Sequence, residues 1–146
     1  MSYNPFSLEG KTILITGASS GIGRTTAVEC SKLGAKVVIT GRNEQRLQET
    51  FEQLEGEGHV QIVADLATSE GIASLVDMMP IVNGCVNNAG YNVMQPIPFI
   101  KENDAETIFK VNALAPIMLT NLMVKKKKIY KEGSIVFTSS IAGLGI

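Results

Sequence analysis

The chain has 146 residues, 45% of them hydrophobic and 18% charged, with a formal net charge of -1 at pH 7. This balance is typical of one soluble globular domain, here spanning 1–146, and it excludes a disordered chain or a protein that coats nucleic acid. The longest apolar stretches have the length of strands, and the first residues do not resemble a signal peptide, so we expect no membrane span and a cytoplasmic protein.

Strand-like apolar runs alternate along the chain with segments of helical spacing. Strands are predicted over 12–16, 36–40, 60–64, 82–86 and 134–138. The residues expected on the buried face of the first helix are Ile22, Thr26, Cys30 and Leu33. Those of the second helix, which follows a candidate cap at Asn43, are Leu47, Thr50, Phe51 and Leu54. Those of the third helix are Ile72, Leu75, Val76 and Met79. Because strands without alternation suit a parallel sheet covered on both faces, we predict an α/β, doubly wound, Rossmann-like fold with strand order 3-2-1-4-5.

The most informative segment follows the first strand, where Thr16-Gly17-Ala18-Ser19-Ser20-Gly21-Ile22-Gly23 leads straight into a helical pattern. Glycines let such a turn bend tightly and let a pyrophosphate come close, while the helix N-terminus offers N–H groups and a positive dipole end. The predicted dinucleotide-binding residues of this turn are Gly17, Ser19, Ser20, Gly21, Ile22 and Gly23. The alternatives are an ordinary turn and a P-loop, and the second fails because the GxxxxGK[ST] spacing is missing.

The second predicted strand ends in Gly41-Arg42, where a dinucleotide fold brings the adenosine ribose. An acidic side chain there would bind the ribose 2′-hydroxyl, whereas the Arg42 guanidinium can pair with a 2′-phosphate. Charge-assisted bonds of roughly 1.5 to 3 kcal/mol correspond to about a ten- to a hundredfold preference, so we predict NADP over NAD. Arg42 as a plain surface charge is the alternative.

The third and fourth strands end in Ala64-Asp65-Leu66 and Asn87-Asn88-Ala89-Gly90. Ligands of open α/β sheets bind at this edge, near the switch point between strands one and four. The cofactor residues predicted here are Asp65, which could reach the adenine amino group, Leu66, Asn88, Ala89 and Gly90. Asp65 could equally cap the next helix, and Asn87 or Asn88 could serve only the turn backbone.

The longest helix is predicted from about Asn103 to Lys126, with an apolar surface wide enough for partners on two sides. Pro116 lies within it and has no N–H, so the carbonyl of Asn112 loses its helical partner and a kink is predicted at Asn112. That carbonyl could be merely solvated, or it could hold a specific water near a site. The lysine run 125–128 is interpreted as a solvated helix C-terminus rather than a binding patch.

The two cysteines, Cys30 and Cys85, fall in predicted buried elements and have no partners at metal-ligand spacing. We expect reduced core residues and no metal site. His59, the only histidine, is interpreted as a surface residue.

Together these motifs resemble the short-chain dehydrogenase/reductase family over essentially the whole chain. The matching residues are the glycine turn 16–23, Asp65, Asn87-Asn88-Ala89-Gly90, Lys110-Val111-Asn112-Ala113 and Ser139-Ser140. The resemblance implies that Val111 contributes to cofactor binding, that the Asn112 carbonyl anchors a proton-relay water, and that Ser140 hydrogen-bonds the substrate oxygen. It also implies hydride transfer between a nicotinamide and an alcohol or carbonyl substrate, and it is compatible with a homo-oligomer whose long helices meet around Met118.

One part of the family pattern is missing from this sequence. The family's tyrosine and lysine, spaced YxxxK, normally come after the serine, whereas the sequence stops at Ile146. We therefore expect the N-terminal portion of a longer enzyme, truncated after the fifth strand. Because positioned proton transfer contributes about 10² to 10⁴ in rate, we also expect the 146-residue species alone to be nearly inactive. The alternative is a catalytically silent NADP-binding module or partner subunit.

Overall fold

The computed structural model describes residues 4–141, which form a parallel five-stranded sheet with helices on both faces. The strands are β1 (Thr12–Thr16), β2 (Lys36–Gly41), β3 (Val60–Val63), β4 (Val82–Asn87) and β5 (Ile129–Phe137). The helices are α1 (Gly21–Lys32), α2 (Glu44–Phe51), α3 (Ser69–Met78), α4 (Glu102–Phe109) and α5 (Ala115–Lys125). A 3₁₀ turn covers Ile97–Phe99, and a π-helical turn covers Lys110–Leu114.

The strand order is β3-β2-β1-β4-β5, and every neighbouring pair is parallel. This confirms the predicted doubly wound α/β architecture. Successive side chains of a strand point to opposite faces, so Leu14 lies in the core beneath α3 and α5 while Ile15 lies in the core beneath α1 and α2. Because helices cover both faces of the sheet, side chains on both sides of β1 and β2 are buried, and the sequences of these strands are continuous hydrophobic runs.

Strand β5 is longer than its predicted range of 134–138. It begins at Ile129, and its pairing with β4 shifts register between Val82 and Gly84. In the first part of the strand the charged residues Lys131 and Glu132 break the apolar pattern of the sequence. A search for apolar runs therefore missed that part.

Helix α1 buries a different face from the one its apolar stripe predicted. The buried residues are Gly23, Ala27 and Ser31, whereas Ile22 is 69% exposed. A small residue is required at the start of this face because the helix is pressed against the turn before it: a Cβ on Gly23 would lie 2.3 Å from the Gly17 carbonyl oxygen. The bulkier Ile22 is left at the open end of the helix.

His59 is not the surface residue that was predicted. Its half-buried ring accepts a hydrogen bond at Nδ1 from the N–H of Val37 at 3.0 Å, and its Nε2 lies 2.9 Å from the carbonyl oxygen of Glu55. The ring also packs edge-on against Phe51, with 6.5 Å between ring centroids. Because β3 begins only at Val60, His59 supplies the acceptor that the sheet lacks beside Val37.

The long helix changes its winding close to Pro116. The N–H of Ala115 donates to the carbonyl of Lys110, five residues earlier, which is the hydrogen bond of a π-helical turn. Pro116 then lies in the first turn of α5, where a missing N–H costs little. The interruption therefore falls around Asn112, as the sequence predicted, but it takes the form of a π-helical turn.

Taken through that turn, Glu102–Lys125 is the one helix within residues 4–141 that is long and apolar enough to cross a membrane, judged by length and composition alone. Asn112, Pro116, Thr120 and Asn121 interrupt its apolar residues, so no contiguous apolar run within it is longer than a strand. Ala115 and Leu119 place one face of this helix in the core of the sheet, which assigns the helix to the fold. Its other face exposes Ile117 and Met118, the second side that the wide stripe predicted.

Candidate functional site

A cavity of about 730 Å³ opens at the carboxyl ends of β1, β2, β3 and β4. All the predicted cofactor residues except Gly23 line it, and their assignment to a cofactor stays a prediction. The predicted residues in its wall are Gly17, Ser19, Ser20, Gly21, Ile22, Arg42, Asp65, Leu66, Asn88, Ala89, Gly90 and Val111. The wall also contains Gly41, Asn43, Arg46, Ala64 and Ala67, which sequence reasoning did not select.

The glycines of the turn between β1 and α1 have separate roles. Gly17 and Gly21 adopt positive φ angles of 64° and 54°, a conformation that L side chains rarely adopt. Gly17 and Gly23 also allow close packing, since a Cβ on Gly17 would lie 2.7 Å from the Ala89 Cα and one on Gly23 would lie 2.6 Å from the Asn88 Nδ2. The turn is therefore pressed against the end of β4, and Gly23 packs behind the cavity wall.

Thr16 connects β1 to the loop after β4. Its Oγ1 accepts hydrogen bonds from the N–H groups of Asn88 at 3.0 Å and Ala89 at 2.9 Å. The Asn88 side chain donates to the Thr16 carbonyl at 3.4 Å and accepts from the Thr138 hydroxyl at 3.3 Å. Asn88 thus supports the turn backbone while lining the cavity, and Thr16, which the site prediction omitted, fixes the switch point between β1 and β4.

Asp65 does not cap the helix that follows it. The cap of α3 is Thr68, whose Oγ1 accepts from the N–H of Gly71 at 3.0 Å. The Asp65 carboxylate instead accepts from the N–H of Ala67 at 3.0 Å, in a turn that holds it at the cavity wall. The capping alternative is wrong, and the adenine contact stays a prediction.

Two arginines line the part of the cavity between β2 and α2. Arg42 follows β2 directly, and Arg46 lies in the first turn of α2, where its N–H is bonded to the Asn43 side chain at 2.9 Å. The Arg42 guanidinium lies 5.9 Å from the ring centroid of Tyr91, within cation–π range. Both side chains are exposed, so this end of the cavity carries positive charge that an anion can reach.

The two predicted catalytic residues lie outside the residues that line the cavity. The Asn112 side chain accepts from the N–H of Tyr91 at 2.7 Å and donates to the Tyr91 carbonyl at 2.8 Å, so it joins the π-helical turn to the loop after β4. Ser140 is exposed and follows β5 at the same edge of the sheet. Neighbouring Thr138 still donates its N–H to the Asn87 carbonyl at 2.9 Å, which keeps the end of β5 beside β4.

Neither cysteine has the lowered pKa of an activated thiol. Burial raises the pKa of the Cys85 thiol to about 12. The pKa of the half-buried Cys30 thiol is also raised, mainly by burial and to a lesser extent by the negative charge of Glu29. A raised pKa keeps the thiol protonated near neutral pH and so suppresses nucleophilic and metal-binding chemistry. Within the described range 4–141 there is no group of three or more His, Cys, Asp or Glu side chains that could hold a metal ion.

The parallel sheet of order β3-β2-β1-β4-β5, with helices on both faces, defines a doubly wound, Rossmann-like α/β protein. A family model described as short chain dehydrogenase matches residues 11–145, and the chain belongs to this family. It is 34% identical over 144 residues to the uncharacterized oxidoreductase YvaG of Bacillus subtilis, covering 94% of this chain and 53% of that protein. It is 35% identical over 137 residues to the 3-oxoacyl-[acyl-carrier-protein] reductase FabG of Rickettsia prowazekii, covering 94% of this chain and 56% of that protein.

Solved structures show the same similarity. The L-sorbose reductase of Gluconobacter frateurii, complexed with NADPH and L-sorbose, superposes with a TM-score of 0.84 at 26% identity, covering 95% of this chain and 56% of the reductase. A short chain dehydrogenase/reductase family protein superposes with a TM-score of 0.81 at 33% identity, and the match covers 96% of this chain and 60% of that protein's chain. The chain spans about half the length of the curated relatives that it matches.

Proposed function

We propose that this chain forms the NADP-binding part of an oxidoreductase that moves a hydride between a nicotinamide ring and the carbon of an alcohol or carbonyl substrate. The observation that carries the proposal is the cavity at the carboxyl edge of the sheet, which has a glycine turn at its base and two arginines at one end. The bound nicotinamide would supply the hydride, so the tasks of the protein are to bind, orient and polarise.

The turn between β1 and α1 fits a diphosphate. Gly21 begins α1, and apart from its chain neighbours and the backbone of its own helix no described atom lies within 4 Å of the position that its Cβ would take, so the backbone there is open to a ligand. The first N–H groups of a helix have no helical partner and carry a partial positive charge. We assign the diphosphate contacts to Ser19, Ser20, Gly21 and Ile22.

The arginines support a preference for NADP over NAD. Arg42 and Arg46 line the cavity at the end of β2, where the adenosine ribose binds in folds of this type, and the residue that follows Gly41 is a cation rather than a carboxylate. A 2′-phosphate there would gain charge-assisted hydrogen bonds from these guanidinium groups. The complex of the L-sorbose reductase with NADPH supports the same choice of cofactor.

For the substrate end we propose the two residues that the family resemblance implies. The Ser140 hydroxyl would hydrogen-bond the substrate oxygen, and the Asn112 backbone carbonyl would hold a water that relays a proton. The paired hydrogen bonds between the Asn112 side chain and Tyr91 support the second role, because they hold the π-helical turn beside the loop that contains Gly90. The silent-module alternative is not favoured, because the relatives are named as oxidoreductases and reductases.

The test is an equilibrium titration of the purified chain with NADPH and with NADH, followed by nicotinamide fluorescence. We expect NADPH to bind about ten- to a hundredfold more tightly, and Arg42→Gln to remove that preference while leaving NADH affinity unchanged. Lys36→Gln is the matched control, because it removes an exposed cation at the opposite end of the same strand. Equal affinity of the unchanged chain for the two cofactors would overturn the choice of NADP, and the absence of any binding would overturn the proposal as a whole.

A further inference from the structure

Arg24 makes an unusual set of contacts for a residue on the outer part of a helix. It lies on α1 just after the glycine turn, and its Nη2 donates to the carbonyl of Ser19 at 2.7 Å and to the carbonyl of Arg46 at 3.1 Å. The same nitrogen lies 3.1 Å from the Glu49 carboxylate. In the structure Arg24 joins the turn, α1 and α2.

Thr50 completes the connection from the other side. It is fully buried on α2, and its hydroxyl donates to the carbonyl of Ala18 at 2.8 Å. The same oxygen accepts from the Nε of Arg24 at 2.9 Å. Two successive carbonyls of the turn, those of Ala18 and Ser19, are therefore held by one arginine and one threonine.

Holding these carbonyls fixes the directions of two N–H groups. A trans peptide unit is planar and points its C=O and N–H in opposite directions, and no cis bond occurs in the described chain. The carbonyl of Ala18 shares a peptide unit with the N–H of Ser19, and the carbonyl of Ser19 shares one with the N–H of Ser20. Both N–H groups therefore point away from Thr50 and Arg24, and both serines line the cavity.

We propose that Arg24 and Thr50 are positioning residues that orient the N–H groups of Ser19 and Ser20 toward a bound diphosphate. This inference rests on the proposed function, and it adds residues that do not themselves line the cavity. Preorganised donors bind an anion more tightly than donors that must first rotate, because the ordering cost is met during folding. Releasing either carbonyl would let its peptide unit turn and would lose that advantage.

The test uses Thr50→Val, which keeps the side-chain shape and removes the hydroxyl, and Thr50→Ser, which restores it. The probes are NADPH, which contains a diphosphate, and adenosine 2′-monophosphate, which has only the group expected near Arg42. We expect Thr50→Val to weaken NADPH binding about tenfold, Thr50→Ser to bind it within about twofold of the unchanged chain, and the monophosphate to bind all three chains equally. A residue that served only stability would not produce this difference between probes.

A second pair of variants provides an independent measurement. Arg24→Met should also weaken NADPH binding about tenfold, whereas Lys32→Met, which removes an ion-paired cation from the exposed end of the same helix, should leave it unchanged. The inference is overturned if Thr50→Val binds NADPH as the unchanged chain does, or if both probes weaken in parallel. Failure of the unchanged chain to bind NADPH would instead overturn the proposed function.

Discussion

Gly23→Ala tests the close packing on which the cavity depends. A Cβ at position 23 would lie 2.3 Å from the carbonyl oxygen of Gly17 and 2.6 Å from the Asn88 Nδ2. Neither atom can easily move aside. The Gly17 carbonyl belongs to the backbone of a tight turn, and Asn88 is hydrogen-bonded to Thr16. The substitution should therefore push the start of α1 away from the turn and from the loop after β4.

The size of the effect follows from two opposing contributions. Overpacking costs about 1 to 3 kcal/mol, and the upper half of that range is expected here because the nearest atom is backbone. Alanine favours a helix over glycine by up to about 1 kcal/mol, which offsets part of this cost. We expect a net loss of about 1 to 2 kcal/mol in the free energy of unfolding, which for a domain of this size lowers Tm by roughly 2 to 8 °C.

The assay is thermal unfolding of the purified chain, followed by far-UV circular dichroism. Gly90→Ala is the matched control, because the nearest atom to its Cβ position is the Asn112 Oδ1 at 3.8 Å, an ordinary contact, and its φ is not positive. This control should stay within about 0.5 kcal/mol of the unchanged chain. Unaltered stability of Gly23→Ala, or an equal loss in Gly90→Ala, would refute the packing argument.

The remaining predictions concern the thiols and the histidine. Because burial raises the pKa of Cys85 to about 12, its thiolate fraction at pH 8 is about 10⁻⁴. Iodoacetamide should therefore modify Cys30 first and Cys85 only in denaturant. Rapid modification of Cys85 in the native protein, detected by mass spectrometry, would contradict this. His59→Ala should cost about 1 to 3 kcal/mol in urea unfolding, because it leaves the buried N–H of Val37 without an acceptor. Exposed Glu57→Ala is its control, and equal stability of the two variants would refute that account.

The fold could be predicted because its signals are local. Continuous apolar runs mark each strand, and β-α alternation with right-handed crossovers leaves few strand orders to consider. The interruption at Pro116 was predictable for the same reason, since one residue decides it. The form of that interruption was not, because the missing N–H of Pro116 shows which carbonyl loses its partner but not that the N–H of Ala115 bonds to the carbonyl of Lys110.

The buried face of α1 shows why local patterns fail at closely packed sites. Periodicity selected Ile22 and the residues in register with it, on the assumption that large apolar side chains face the core. The structure instead buries Gly23 and Ala27, and at Gly23 the turn before α1 and the Asn88 side chain leave no room for a larger side chain. Close packing at the start of α1 thus overrode the ordinary rule that large apolar side chains are the buried ones.

Residues that line the cavity and residues that hold it in shape differ in how visible they are in a sequence. The first group lies in motifs at strand ends, where topology predicts their convergence. The second group includes Thr50 and Thr16, whose hydrogen-bond partners lie 32 residues away at Ala18 and 73 residues away at Ala89. Such pairs form only after the sheet and helices have assembled, so no spacing rule reveals them.

The strand order also arranges the proposed functions along one edge of the sheet. Arg42 lies at the end of β2, the glycine turn at the end of β1, Asn88 at the end of β4 and Ser140 beyond β5. The order β2-β1-β4-β5 therefore places the proposed contacts for the 2′-phosphate, the diphosphate and the substrate oxygen in a line, with the diphosphate between the other two. Thr16 joins the end of β1 to the loop after β4, so hydrogen bonds of the fold hold together the two strand ends at the central contact.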